Sequence, residues 1–161
     1  MGAGTVLKCQ DCGYQCNVRT GVGKRYSMTY REEIQAMKAG KYGKTRADFL
    51  AAHPDAVIDV AYKVVICPEC GAFENVMDLS IYVPREGKNE DGYWVDEDGL
   101  IIPEWDFQAH CNKMMDYPRK CLDCHHTMVD CADEVALAMQ GQLKCPKCHG
   151  KMEVNGMMMW D

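Results

Sequence analysis

Eight of the 11 cysteines in this 161-residue chain fall into four Cys-x-x-Cys pairs: Cys9/Cys12, Cys67/Cys70, Cys121/Cys124 and Cys145/Cys148. No other feature limits the fold so strongly. Two cysteines three positions apart grip one ion from one tight turn, whose backbone N–H groups point at the sulfurs, and two such turns close a tetrahedral site. The alternative use of many cysteines is a disulfide framework, which belongs to short secreted chains with even counts. Here the count is odd, and the opening MGAGTVLKCQDC lacks a basic segment followed by an apolar one. No run of 18 apolar residues occurs, so no membrane-spanning helix and no membrane partner are expected. The expectation is a cytoplasmic protein whose reduced thiolates hold metal.

An internal repeat organises these pairs. LKCQDCGYQC (7–16) resembles RKCLDCHHTM (119–128), and VICPECGAFENV (65–76) resembles LKCPKCHGKMEV (143–154). Between them, EEIQAMKAG (32–40) lines up with DEVALAMQG (133–141). Each half reads as knuckle, helix, Gly stop, CP-x-C knuckle, with an insertion after Gly40. In this alignment His149 takes the place of Gly71.

The repeat makes each half self-sufficient. It predicts one site from Cys121, Cys124, Cys145 and Cys148, with 20 residues between the pairs, the spacing usual for zinc ribbons. It predicts another from Cys9, Cys12, Cys67 and Cys70, with 54 residues between them. A cross-braced arrangement, first knuckle with third and second with fourth, is the competing pairing. The fold class expected is small α+β and metal-bound: two modules of β-hairpins bearing knuckles, plus short helices. The expected segments are an N-terminal module with a helical insertion at 1–83, an acidic linker or hairpin segment at 84–118, and a C-terminal module at 119–161.

Local patterns supply the elements. Thr29 and Glu32 form a T-x-x-E capping box, with Tyr30, Ile34 and Met37 on one helical face and Gly40 ending the helix. Thr45 and Asp48 suggest a second helix that buries Phe49 and Leu50 and ends at His53-Pro54. Asp130 caps a third, ending at Gln140–Gly141. Period-two alternation predicts a single strand over 57–66, with Ile58, Val60, Tyr62, Val64 and Ile66 on one face, and another carrying Met77, Leu79, Ile81 and Val83. Asn155-Gly156 predicts a C-terminal hairpin turn.

At the knuckles the chain resembles the zinc-ribbon superfamily. CQDCGY and CPECGA resemble the two knuckles of its rubredoxin-like members, and the helix, Gly, CP-x-C order is similar to bacterial CPXC-type domains. The resemblance covers well under half of the chain. It implies two structural Zn²⁺ ions on the eight cysteines named above, or iron in the first site. The long first gap and the thin aromatic core of the first half separate it from rubredoxin itself. Function does not follow, because zinc ribbons serve many roles.

Cys16, Cys111 and Cys131 are left over and read as small buried hydrophobes. His110-Cys111 is a candidate third site, and His125 and His126, which follow Cys124, are candidates to donate to the thiolates or to substitute as a ligand. Four-cysteine sites are closed, and no H-E-x-x-H, P-loop, G-x-S-x-G or zinc-deaminase pattern occurs, so no enzymatic activity is expected. Charge is uneven: residues 1–46 carry +6 and residues 74–134 carry −10. The acidic stretch, with Tyr93, Trp94, Trp105 and Phe107, suggests a surface for a protein partner. The basic residues Arg19, Lys24, Arg25, Arg31, Lys38, Lys41, Lys44 and Arg46 offer the alternative of nucleic-acid binding, Lys24, Arg25, Arg31, Lys41, Lys44 and Arg46 foremost. A rubredoxin-like iron electron carrier is the third reading.

Overall fold

The computed structural model describes residues 2–85, 93–104, 106–131 and 133–160. Trp105 and the acidic stretch 86–92 lie outside them. In chain order the elements are β1 (Gly2–Cys9), β2 (Gln15–Thr20), α1 (Tyr26–Lys38), α2 (Lys44–Ala52), β3 (Val57–Ile58), β4 (Tyr62–Ile66) and β5 (Phe73–Met77). They continue with β6 (Ile81–Pro84), β7 (Tyr93–Val95), β8 (Ile101–Pro103), a 3-10 turn (Phe107–His110), β9 (Cys111–Met115), β10 (Val129–Asp130), α3 (Glu134–Met139) and β11 (Met152–Trp160). This is a small α+β chain with short antiparallel sheets. None of its described helices is long and apolar enough to cross a membrane.

The chain forms two units, and they cut across the segments 1–83, 84–118 and 119–161. The first unit comprises Met1–Lys24, Ala61–Met77 and Pro118–Asp161; the second comprises Arg25–Val60 and Asp78–Tyr117. Both predicted long strands break at these boundaries. The run 57–66 divides into β3 and β4, and the run 77–83 breaks where Leu79 takes a φ of 61° and Asp78 Oδ1 accepts the Ser80 N–H.

The first unit holds two three-stranded antiparallel sheets, ordered β11-β1-β2 and β10-β4-β5. Their plan is the same. The strand entering a knuckle is central, the strand leaving it lies on one side, and a strand from a distant knuckle lies on the other. Strict alternation fails in β4 because both of its faces are covered. Val64 joins a core with Leu7, Val18, Leu143 and Met152, while its neighbour Val65 joins one with Cys67, Cys121 and Met128. Fully burying each such aliphatic side chain contributes about 1.5–3 kcal/mol.

The predicted C-terminal hairpin does not form. β11 is one continuous strand antiparallel to β1, and Val6 pairs with Gly156 while Leu7 pairs with Val154. Asn155 is the extra residue of a β-bulge, and Gly156 has φ 154°. Asn-Gly supplies a bulge here because β1 offers a full partner for the whole strand.

In the second unit, α1 buries Tyr30, Ile34 and Met37, as the periodicity predicts. It begins a turn earlier than the capping box implied: the Thr29 N–H already donates to the Arg25 carbonyl. Extending the helix sets the ring of Tyr26 6.2 Å from that of Tyr30. In α2, Leu50 is buried, and Phe49 is half-buried and stacks on His53 at 4.1 Å. The described part of the acidic segment takes the hairpin reading rather than the linker one. β7 and β8 pair as a hairpin, and β9 joins the sheet β3-β6-β9.

The helix and Gly stop of the repeat are real local structures. Gly40 N–H bonds Met37 O and Lys41 N–H bonds Ala36 O; Gly141 and Gln142 repeat this at α3 with Ala138 and Leu137. Both are Schellman ends. The N-cap of α3 is Asp133, whose side chain accepts the Ala136 N–H at 2.8 Å, and not Asp130. Asp130 instead sits in β10 and pairs with Lys63 at 2.8 Å.

Candidate metal centres

All four knuckles share one backbone turn. The N–H four residues after the first cysteine donates to that cysteine's carbonyl: Gly13 to Cys9, Gly71 to Cys67, His125 to Cys121 and His149 to Cys145, at 2.9–3.1 Å. The first cysteine's own N–H closes a second bond five residues on, to Tyr14, Ala72, His126 and Gly150, at 2.7–2.9 Å. The position four on is left-handed each time, with φ 72°, 75°, 62° and 59°. Glycine adopts that conformation freely, and histidine does so at a cost. The alignment of His149 with Gly71 thus marks a shared turn. His125 and His149 serve it through the backbone, with exposed side chains, and neither joins a ligand group.

The knuckles assemble in a nested order. The sulfurs of Cys9, Cys12, Cys145 and Cys148 lie within 4.8 Å of one another, and so do those of Cys67, Cys70, Cys121 and Cys124. The first knuckle meets the fourth and the second meets the third. This corrects both the sequential pairing and the cross-braced one. Strand pairing decides it: β1 leads into the first knuckle and pairs with β11, which leaves the fourth; β4 leads into the second and pairs with β10, which follows the third. The sequence repeat records likeness of turns and helices, not partnership.

Within each group the geometry suits one ion. Sγ separations are 3.4 Å for Cys9–Cys148, 3.7 Å for Cys12–Cys145, 3.3 Å for Cys67–Cys124 and 3.6 Å for Cys70–Cys121. A tetrahedron with metal–sulfur bonds of about 2.3 Å has edges of about 3.8 Å. A disulfide would need about 2.05 Å, and all 11 thiols are free. The first cysteine of each knuckle is buried, at 1 % exposure or less, and Cys12 and Cys148 reach the surface. Four thiols in this arrangement fit a soft or borderline tetrahedral cation.

The turns also favour thiolate. The Cys12 N–H, against the opposing effect of burial and with help from the Asp11 N–H, pulls the Cys9 thiol down to about 7. The Cys70 N–H, again against burial and with help from Glu69, takes Cys67 down to about 6. Lys147 N–H reaches Cys145 Sγ at 3.4 Å. The partner thiols move the other way. At Cys148 the Gly150 N–H lowers the value, but Cys12, Cys9, burial and Cys145 together drive it up to about 12. At Cys124 the His126 N–H is likewise outweighed by Cys67, burial, Cys121 and Cys70, again up to about 12. Four thiolates repel one another until a cation joins them.

The remaining cysteines stand apart from both groups. Burial raises the thiols of Cys16, Cys111 and Cys131. Cys111 contacts the Tyr93 hydroxyl, and among the described residues no group of three donors forms around His110 and Cys111.

Much of the basic segment is engaged within its own unit. Arg31 pairs with Asp96 and, at 2.6 Å, with Asp98; Lys41 pairs with Glu33 at 3.3 Å and Lys44 with Asp48 at 2.6 Å. Arg46 donates to the Asp116 carbonyl and lies over the Tyr117 ring at 4.6 Å. Arg25 reaches the Met28 sulfur at 3.7 Å, and Lys24 lies exposed in the first unit.

Comparison of the chain with family profiles, curated proteins and solved structures finds no match.

Proposed function

We propose that this chain is a non-catalytic zinc protein, built of two nested zinc-ribbon-like modules that present a surface to a protein partner. The observation that carries the reading is the composition of the two centres. Each draws all four donors from cysteine, with the first cysteine of each knuckle buried. Such a site is closed: it leaves no position for water or substrate, and its metal contributes to folding. Zinc suits four thiolates and carries no redox chemistry. Cys9, Cys12, Cys145 and Cys148 would hold one ion, and Cys67, Cys70, Cys121 and Cys124 the other.

A protein partner is favoured over nucleic acid by the ion pairs of the second unit, which answer Arg31, Lys41 and Lys44 with carboxylates. A cation that already faces a carboxylate adds less to the positive field that draws phosphate. In the first unit Leu122, at the tip of the third knuckle, is 82 % exposed. It borders a cleft of about 200 Å³ lined also by Phe73, Pro146 and His149, with Glu74, Asp123 and Lys144 at its sides. An apolar tip with mixed charge around it suits a protein surface.

The test uses the full chain loaded with zinc. Single-stranded and duplex oligonucleotides should show no salt-sensitive binding by fluorescence anisotropy. Binding that falls steeply with salt, and is lost on neutralising Lys24, Arg25, Arg31, Lys41, Lys44 and Arg46 together, would replace the reading with the nucleic-acid one. A red, iron-loaded protein would replace it with electron transfer.

A further inference from the structure

The sheet β11-β1-β2 has two edges, and they are treated differently. Along an edge strand, every second residue turns its N–H and C=O outward, and those groups need partners. At the C-terminal end of β2 they have them. Asn75 Oδ1 accepts the Arg19 N–H at 2.8 Å, and Asn75 Nδ2 donates to the Arg19 carbonyl at 2.7 Å. Two residues on, Gly21 exchanges a pair of bonds with Tyr62, at 2.9 and 2.8 Å. One side-chain amide and one backbone bridge thus close that end of the edge.

β11 has no such closure. Among the described residues, no backbone group of Glu153–Trp160 bonds to anything but β1. The stretch 154–160, VNGMMMW, contains no charge and no proline, the two devices that ordinarily protect an edge. Its side chains are apolar where they are most exposed: Met157 is 81 % and Met159 67 % accessible. Both lie on the sheet face that buries Thr5 and Leu7, opposite Thr5 and Ala3 in register. α3 reaches that face at Thr5, whose hydroxyl donates to Glu134 at 3.3 Å. Beyond it, Gly2, Ala3 and Met157–Met159 line a hollow of about 320 Å³.

We propose that this edge is a self-association surface: β11 pairs antiparallel with β11 of a second copy across a two-fold axis, making one continuous six-stranded sheet. The occupant is a second copy because the strand fits itself. A two-fold antiparallel pairing centred on Met158 sets Met157 of each copy against Met159 of the other, and the uncharged stretch 154–160 brings no like charges together in that register. The methionines of each copy then cover those of the other, and flexible thioether side chains fill an irregular hollow well.

Sedimentation velocity of the zinc-loaded full chain across the micromolar range tests this. The wild-type chain should dimerise with concentration. Met159→Lys and Met159→Glu, each retaining its full metal content, should each weaken dimerisation by about tenfold or more, through like charges facing across the axis. Mixing the two variants should restore a heterodimer, which a folding defect could not do. A wild-type chain that stays monomeric would overturn the proposal. So would variants that dimerise as well as wild type, or a mixture that fails to recover.

Discussion

Cys9 Sγ lies 3.4 Å from Cys148 Sγ across a sequence separation of 139 positions, whereas Cys67 Sγ lies 3.3 Å from Cys124 Sγ across 57. One cysteine group is therefore enclosed in sequence by the other. The outer group closes only when both ends of the chain have met, so it carries the larger loop-closure entropy. Chelation should open the outer site's sheet, β11-β1-β2, before it opens β10-β4-β5. Hydrogen exchange during slow metal removal, followed at the amides of β1 and β4, checks the order.

The left-handed position of the knuckle gives a graded substitution series. His125→Gly and His149→Gly should each stabilise the metal-loaded protein by up to about 1 kcal/mol, the relief of the left-handed cost less glycine's added unfolded-state freedom. Gly13→Ala should cost about 1–2 kcal/mol, because a Cβ there meets nothing within 4 Å and only the backbone objects. Gly71→Ala should cost more, since its Cβ would lie 2.9 Å from Lys144 Cγ and 3.0 Å from the Gln142 carbonyl. Thermal melts of the four variants, at equal metal content, rank them.

Acid should release metal, and not equally from both centres. Cys9 and Cys67 are lowered, so the stability they contribute is present above the unfolded value of 9 and is lost as pH falls through about 7 and about 6 respectively. Cys124 and Cys148 are raised, so they favour the neutral thiol; that contribution is present below 9 and fades as pH rises toward about 12. Metal must therefore displace their protons at neutral pH, and binding should release acid into a weak buffer. On lowering the pH, the centre containing Cys9 should empty first. Chelator-dye titration of two variants, each retaining one intact centre, gives the two half-release values.

Asp96 is held from several sides within the second unit. Its side chain is 5 % exposed, pairs with Arg31 and accepts the N–H groups of Asp98 and Leu100 at 3.0 and 2.8 Å. Asp96→Ala should destabilise the protein by about 2–4 kcal/mol, while Glu97→Gln, on the exposed side of the same turn, should change it by less than about 0.5 kcal/mol. Urea denaturation separates them. A partner-binding assay that neutralises Asp96 would report this defect as well as any lost contact.

The sequence carried the parts of this molecule better than their assembly. The eight knuckle cysteines, the buried face Tyr30–Ile34–Met37 and the Gly stops at Gly40 and Gly141 were all legible, because each rests on residues within a turn or two of one another. The knuckle partners were not, because nothing local to Cys12 says whether its sheet closes with β11 or elsewhere. Residues 57–66 misled for a related reason: Val64 and Val65 point to different cores, so the alternation that reads as one strand hides a boundary between Val60 and Ala61. Asn155-Gly156 carries a turn signal that a full-length partner strand converts into a bulge. The opposed charges of the basic and acidic segments read as two surfaces, and in the fold Arg31 meets Asp96 and Asp98.

Metal counting in paired cysteine variants tests the nested assembly most directly. Cys9→Ser combined with Cys148→Ser should leave one zinc per chain, because both changes fall in one centre, and so should Cys67→Ser combined with Cys124→Ser. Cys9→Ser combined with Cys67→Ser should leave none. If that last variant instead keeps one zinc while Cys9→Ser with Cys148→Ser keeps none, the knuckles pair sequentially and the nested assembly is wrong.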